Sequence, residues 1–300
     1  MSENVLQRGV RNAIAYPRVV YRLLFFVLVV SLLVTFGFPL YWLLVLAVTP
    51  PSAVHGLGLV PESVSVSNFA VVALYSPFLR HLFNGLLVAT LSTVVVLVVG
   101  SLAGYAFGRL EFPGRRPLLL GFLVVAYFPP ASFLAPLFHL FTGVEVAVGP
   151  VTLSSPTLYN TPGAVVLPTT MLTLPLAIYV LTTFYAQIPD ELEAAARVEG
   201  TTRLGAFRRV VLPLARPGIA AAGVLTFVQV YNEFFFSYLM TDGDPRHWAP
   251  LAPFVYGLRY SEAVFGAAAA VLGLAPIVVV VLVANDYLVE GLAATVPVGK

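Results

Sequence analysis

Residues 189 to 217 read PDELEAAARVEGTTRLGAFRRVVLPLARP. Nine charged residues fall in this one stretch, whereas the chain as a whole is only 10% charged. Glu191 to Arg197 is rich in good helix formers. Glu193 and Arg197 stand at i, i+4, the spacing of a favourable helical ion pair. Gly200 stops that helix, because glycine readily takes the positive φ of a C-terminal cap. A second short helix, about Arg203 to Val211, is predicted to end before Pro213. The segment reads as a compact helix–turn–helix. An ordinary solvated amphipathic loop would explain its charge, but not its order of Glu-Ala-Ala, Gly and Leu-Pro.

Outward from this segment the chain changes character. Of its 300 residues, 59% are hydrophobic, and the mean hydropathy is +0.92. An α-helix needs about 20 apolar residues to cross a ~30 Å hydrocarbon core. Six stretches qualify: Leu23–Val48, Leu82–Phe107, Leu118–Phe141, Gly163–Gln187, Gly218–Met240 and Ala263–Asn285. Tyrosines aside, His139 and Glu233 are their only ionisable side chains. Core helices of a soluble protein would show polar faces at a 3.6-residue period, and these stretches show none. The first stretch is longer than a signal-peptide core and reads as a retained span. Residues 1–22 and 288–300 read as tails around a 23–287 membrane domain.

The basic residues are lopsided. Thirteen of the 16 lie in the N-terminal tail, the second and fourth inter-span loops and the C-terminus. Arg80, Arg246 and Arg259 lie on the other side. The positive-inside rule puts both termini in the cytoplasm of a multi-pass protein of the cell membrane. Pro39, Pro129, Pro130, Pro136, Pro168 and Pro175 fall in or near spans and predict bends. Gly100, Gly104 and Gly108 recur every fourth residue and predict a close helix–helix approach. The absence of cysteine excludes disulfides and thiolate sites. A net charge of +2 is too small to point to nucleic acid. The four histidines share no metal-ligand spacing.

The charged segment also resembles the EAA loop of bacterial and archaeal ABC importer permeases. That motif runs E-A-A, three residues, Gly, nine residues, an aliphatic residue, any residue, then Leu-Pro. Glu193-Ala194-Ala195, Gly200, Val210 and Leu212-Pro213 are read as its parts, and Phe207 and Pro217 match commoner extensions. Glu199 stands where the family usually has Asp, and Thr201 where it often has Ala. Ser101 to Arg116 and Thr226 to Thr241 resemble spans two and five of the carbohydrate-uptake branch, closest to the smaller permease of maltose and glycerol-3-phosphate types.

The resemblance implies an all-α integral membrane protein, a six-transmembrane-helix bundle with a cytoplasmic coupling helix. That helix would dock on a separate ATPase through Glu193, Ala194, Ala195, Glu199, Gly200, Phe207, Leu212 and Pro213. Two ATPase subunits, a second permease and an extracellular or periplasmic solute-binding protein are the implied partners, besides membrane lipid. No GxxxxGK[ST] phosphate loop occurs, so ATP and Mg are expected on the ATPase and no cofactor on this chain.

Three further residues stand out in the fifth stretch. Glu233 is the one carboxylate inside a span, and such a charge is costly. With Tyr231 and Asn232 it is a candidate for the solute pathway. Interhelical hydrogen bonding near the outer interface is the other reading. A self-contained secondary transporter using Glu233 is the competing function, but it leaves the EAA loop without a role. The loop from Asp242 to Glu262 is a polar and aromatic mixture. The resemblance makes its Arg246, His247 and Trp248 candidates for contact with the binding protein. A plain exposed connector is the alternative.

Overall fold

The computed structural model describes residues 17–56, 58–148, 151–258 and 263–295. The outermost parts of both expected tails, with Arg8, Arg11 and Lys300, lie outside the described residues, as do Arg259, Tyr260 and Glu262.

In lipid every backbone N–H and C=O must be satisfied within its own segment. That demand overrides the strand preference of runs such as Thr93–Val99, and the long apolar stretches form helices. These are α1 (Pro17–Val48), α3 (Phe78–Arg109), α6 (Pro162–Ala186), α9 (Arg216–Tyr231) and α12 (Ala263–Thr295). Between them lie α2 (Ser67–Tyr75), α4 (Arg115–Ala126), α5 (Ala131–Thr142), α7 (Asp190–Val198), α8 (203–214), α10 (Phe235–Leu239) and α11 (Leu251–Leu258). The helical bundle carries one short antiparallel hairpin, β1 (Glu145–Val148) with β2 (Val151–Ser154), pairing Glu145 with Ser154.

The expected third span is not straight. Its two halves, α4 and α5, meet at 85°. Pro129 and Pro130 lie between them, where two successive missing N–H groups break the ladder. The pair still crosses the bundle. At one end Arg115 donates to the carbonyls of Gly108 and Leu110. At the other end Phe141 is buried with Phe78, Val165 and Met240. The fifth span is also interrupted. Residues 232–234 separate α9 from α10 within the expected Gly218–Met240 stretch, although Arg216–Leu239 still counts as one span.

Two apolar clusters mark the two ends of the bundle. One gathers Val72, Phe78, Phe141, Phe236, Met240 and Leu251. The other gathers Tyr105, Leu181, Tyr185, Phe207, Val211 and Ala215, beneath the charged segment. The glycine spacing in α3 does what its pattern predicts. A Cβ on Gly104 would lie 2.9 Å from Leu181 Cβ, and one on Gly108 would lie 3.1 Å from the Thr182 carbonyl. The α3 and α6 backbones are therefore in contact along this face. Ser92 Oγ and Thr169 Oγ1, 3.1 Å apart, add an interhelical hydrogen bond.

Candidate coupling site

The charged segment folds as two helices across a tight turn. Gly200 has φ +89°, with open space where a Cβ would be. The Thr201 N–H reaches the Ala196 carbonyl at 3.2 Å, and the Gly200 N–H reaches that of Arg197 at 3.0 Å. This pair of bonds is the Schellman closure of α7. Thr201, a departure from the motif, adds its own hydroxyl to the Ala196 carbonyl at 2.7 Å. Thr202 Oγ1 then accepts from the Gly205 N–H at 3.1 Å and caps α8. The two adjacent threonines thus close one helix and open the next.

The second helix runs past its expected end. It starts as Arg203–Ala206, widens into a π turn at Phe207–Val211, and continues through Leu212–Leu214, taking in Pro213. In the π turn Leu212 N–H reaches back to the Phe207 carbonyl, so the ladder reaches Pro213 without a break.

The motif itself holds one more residue than the pattern. Four residues, not three, separate Ala195 from Gly200. Counted back from Gly200, the pattern's Glu position is Ala194, which is exposed. Glu193 is turned about 100° from it around the helix and faces the bundle. The Glu193–Arg197 ion pair expected from spacing does not form among the described residues. Glu193 instead accepts from Tyr105 Oη at 2.5 Å and from Arg109 Nε at 3.2 Å.

The Arg109 side chain is 4% exposed and also donates through Nη1 to the Ile188 carbonyl and to Asp190, each at 2.6 Å. Asp190 is 92% exposed and Glu193 only 13%. Glu193 is therefore the stronger partner despite its longer contact, because water screens the Asp190 pair. Beside this cluster lies a cavity of about 530 Å³ lined by Arg109, Glu111, Asp190, Ala194, Arg197 and Arg203.

The residues expected to dock thus divide into two groups. Ala194, Ala195, Glu199, Gly200 and Pro213 are exposed. Phe207 is buried, 4.7 Å from the Tyr105 ring and 5.8 Å from that of Tyr185, and Leu212 packs beside it. These two anchor the segment to the bundle and cannot be surface contacts. Sequence reasoning missed the apolar groups that are at the surface: Leu192, Val198, which is 88% exposed, and Leu204. An exposed aliphatic residue inside a charged helix was the available signal.

The pathway candidates also separate. Tyr231 is buried and donates its hydroxyl to the Gly273 carbonyl at 2.9 Å. With Asn232 it lines a groove of about 370 Å³ between α9, α11 and α12. Glu233 does not line it. Its carboxylate accepts from the N–H groups of Phe236 (2.8 Å) and Ser237 (3.0 Å) and from Ser237 Oγ. It closes the first turn of α10, so its bonds are local rather than interhelical.

The loop after α10 is held rather than loose. Asn160 and Asp242 bond reciprocally, at 3.0 and 2.8 Å, and His247 Nδ1 lies 2.7 Å from Asp242. Asp244 accepts from the N–H and guanidinium of Arg246. From beneath, Asn84 donates to the carbonyls of Pro245 and Ala249. His81 Nδ1 is 2.9 Å from the Ala249 carbonyl, so that nitrogen carries the proton. The Arg246 bonds hold the Asp244 carboxyl below the usual range, and the Asp244 N–H does the same for Asp242. Arg246 and His247 are exposed, and Trp248 is half-buried at φ +66°. The following α11 buries Leu251 and Pro253, so this part of the loop is not a plain exposed connector.

An apolar multi-span bundle with a charged two-helix element seated on one end defines a membrane component built to engage something outside the bilayer. The chain belongs to the family of binding-protein-dependent transport system inner membrane components, whose model matches residues 96–293. It is 34% identical to the trehalose transport system permease protein of Mycobacterium tuberculosis, over 85% of this chain and 90% of that one. It is 30% identical to the trehalose/maltose transport system permease protein of Thermococcus litoralis, over 86% and 90%. The fold is similar to that of a chain in the crystal structure of a bacterial ABC transporter importing alginate. There the TM-score is 0.69 at 16% identity, covering 90% of this chain and 96% of that one.

Proposed function

We propose that this importer permease carries half of the pathway for a sugar or related solute, driven by ATP hydrolysis on separate subunits. The observation that carries the reading is the exposed face of the 189–217 element. Ala194, Ala195 and Val198 are exposed on α7 at helical spacing, and Leu204 is exposed on α8, in an element whose other side is seated on the buried Tyr105–Phe207–Tyr185 cluster. Large aliphatic side chains held in water on a charged element fit a docking surface. Its partner is an ATPase, and ATP and Mg are bound there. Two ATPases, a second permease and a solute-binding protein complete the assembly. The names of the trehalose, maltose and sulfoquinovosyl glycerol permeases among the relatives support a carbohydrate solute. Both termini and the 189–217 element face the cytoplasm on the basic-residue asymmetry. A secondary transporter using Glu233 is not favoured, because that carboxylate already closes α10.

Changing Val198 and Leu204 together to aspartate tests the docking surface. Fully burying a Val or Leu contributes about 1.5–3 kcal/mol, roughly tenfold or more in affinity per residue. The double variant is expected to insert normally and to lose its ATPase on purification. Co-purification equal to the unaltered chain would refute the surface. Uptake of labelled trehalose, maltose and glycerol-3-phosphate by cells with and without this gene then identifies the solute.

A further inference from the structure

The coupling element is joined to span two by more than the chain itself. By sequence it continues only into spans four and five, through residues 187–189 and 215–216. Yet its first helix is fixed by side chains at the end of α3. Arg109 is almost wholly enclosed and has three acceptors, Glu193, Asp190 and the Ile188 carbonyl. Tyr105, one helical turn back on the same face, donates to the other oxygen of Glu193. A single carboxylate on α7 is thus gripped by two groups from α3, one through each oxygen. The close approach at Gly104 and Gly108 binds the same stretch of α3 to α6.

We infer that Arg109 and Tyr105 are positioning residues that clamp the coupling helix to span two through Glu193. α3, α6 and α7 then move as one body when the docked partner closes. Charge supplies the grip. Without Glu193 the enclosed guanidinium, whose Nη2 is already without a partner, keeps only the Ile188 carbonyl and the water-screened Asp190, so the clamp resists opening. The position of Glu193 fits this task. The extra residue before Gly200 takes it off the exposed Ala194 face and turns it toward α3. Span five is joined differently, through the π turn at Phe207–Val211 and the break at Ala215, with no charged grip of this kind among the described residues.

The inference rests on ATPase docking at this element, and the test separates the two. In the cysteine-free chain, Glu111→Cys and Arg197→Cys place spin labels on either side of the cavity beside the clamp. The assembled transporter is measured nucleotide-free and after vanadate trapping. The clamp predicts one unchanged distance in both states. A change larger than a helical turn, ~5 Å, would overturn it.

The second arm is kinetic. Glu193→Gln and Arg109→Gln are expected to lower binding-protein-stimulated ATP hydrolysis at least tenfold. The binding-protein concentration for half-stimulation should not move, and the ATPase should still co-purify. Arg109→Lys should recover part of the rate. Stimulation within twofold of normal in Glu193→Gln would also overturn the clamp while leaving docking intact. An unaltered chain that purifies with no ATPase would overturn docking itself, and the clamp's role with it.

Discussion

Gly200 supplies the backbone reversal in the turn of the coupling element. Its place between a charged helix and a second amphipathic one requires a positive φ, and it has one, +89°. Nothing crowds its missing side chain, so a substitution is penalised by backbone conformation alone, about 1–2 kcal/mol for an ordinary residue. Asn visits this region far more readily than a β-branched residue. Gly200→Val is therefore expected to abolish transport while the chain still inserts, and Gly200→Asn to retain a substantial fraction. Equal uptake by all three proteins would show that the turn is not needed.

Glu193 reads as the motif's Glu but stands one residue out of its register, and its direction was not legible. Spacing on one helix offered Arg197 as its partner, and the winning partners, Tyr105 and Arg109, lie 88 and 84 residues away. No local pattern encodes such a contact. The outer loop carries a residue-scale prediction in pH. The carboxyls of Asp242 and Asp244 are both held below their ordinary value, near 3.9. Their contribution to the loop is therefore fully present above that value and is lost as pH falls through the lowered ones. Protection factors of the Asp244 and Arg246 amides should be flat from neutral pH down to roughly 5 and collapse only below about 4. A loss of protection near neutrality would contradict the assignment of those bonds.

At the scale of elements, the spans were readable because lipid leaves the backbone one economical solution, and their interruptions were readable only in part. Prolines announced a bend in the third span, and Pro129-Pro130 is where it turns by 85°. The break in the fifth span has no proline. Asn232 and Glu233 make it by bonding their own neighbouring backbone, which is the habit of short polar side chains at helix ends. Replacing Glu233 by Gln keeps an acceptor for the Phe236 and Ser237 amides and should preserve uptake. Glu233→Ala should lower it and weaken α10. Loss of uptake in Glu233→Gln with α10 intact would return the carboxylate charge to the pathway. The loop after α10 belongs to this scale too. Its anchors, Asn84, His81 and Asn160, sit on other elements and gave no local signal. Changing Arg246, His247 and Trp248 together to alanine is expected to weaken stimulation by loaded binding protein, with basal hydrolysis kept. Unchanged stimulation across a binding-protein titration would leave the loop a structural cap only.

For the whole molecule, the apolar composition and the asymmetry of thirteen basic residues to three frame the topology. With α4 and α5 counted as one broken span, six crossings put both ends on one side. Single cysteines at Ser52, Ser155 and Arg246 should label from outside the cell, and those at Glu199 and Thr202 should not. External labelling at Glu199 would reverse the orientation and remove the coupling element from the cytoplasm. Whole-molecule architecture was legible because the bilayer constrains it so strongly. What docks on the 189–217 element was legible only by resemblance, since the surface residues that matter most, Val198 and Leu204, fit no motif. The most direct measurement is a photo-crosslink from a cysteine at Val198, carrying a benzophenone, in the assembled transporter in native membranes. The account predicts one adduct, to an ATPase subunit, with a yield that changes when nucleotide is trapped. Adducts to lipid or to this chain alone, from a transporter that still hydrolyses ATP and imports its solute, would contradict it.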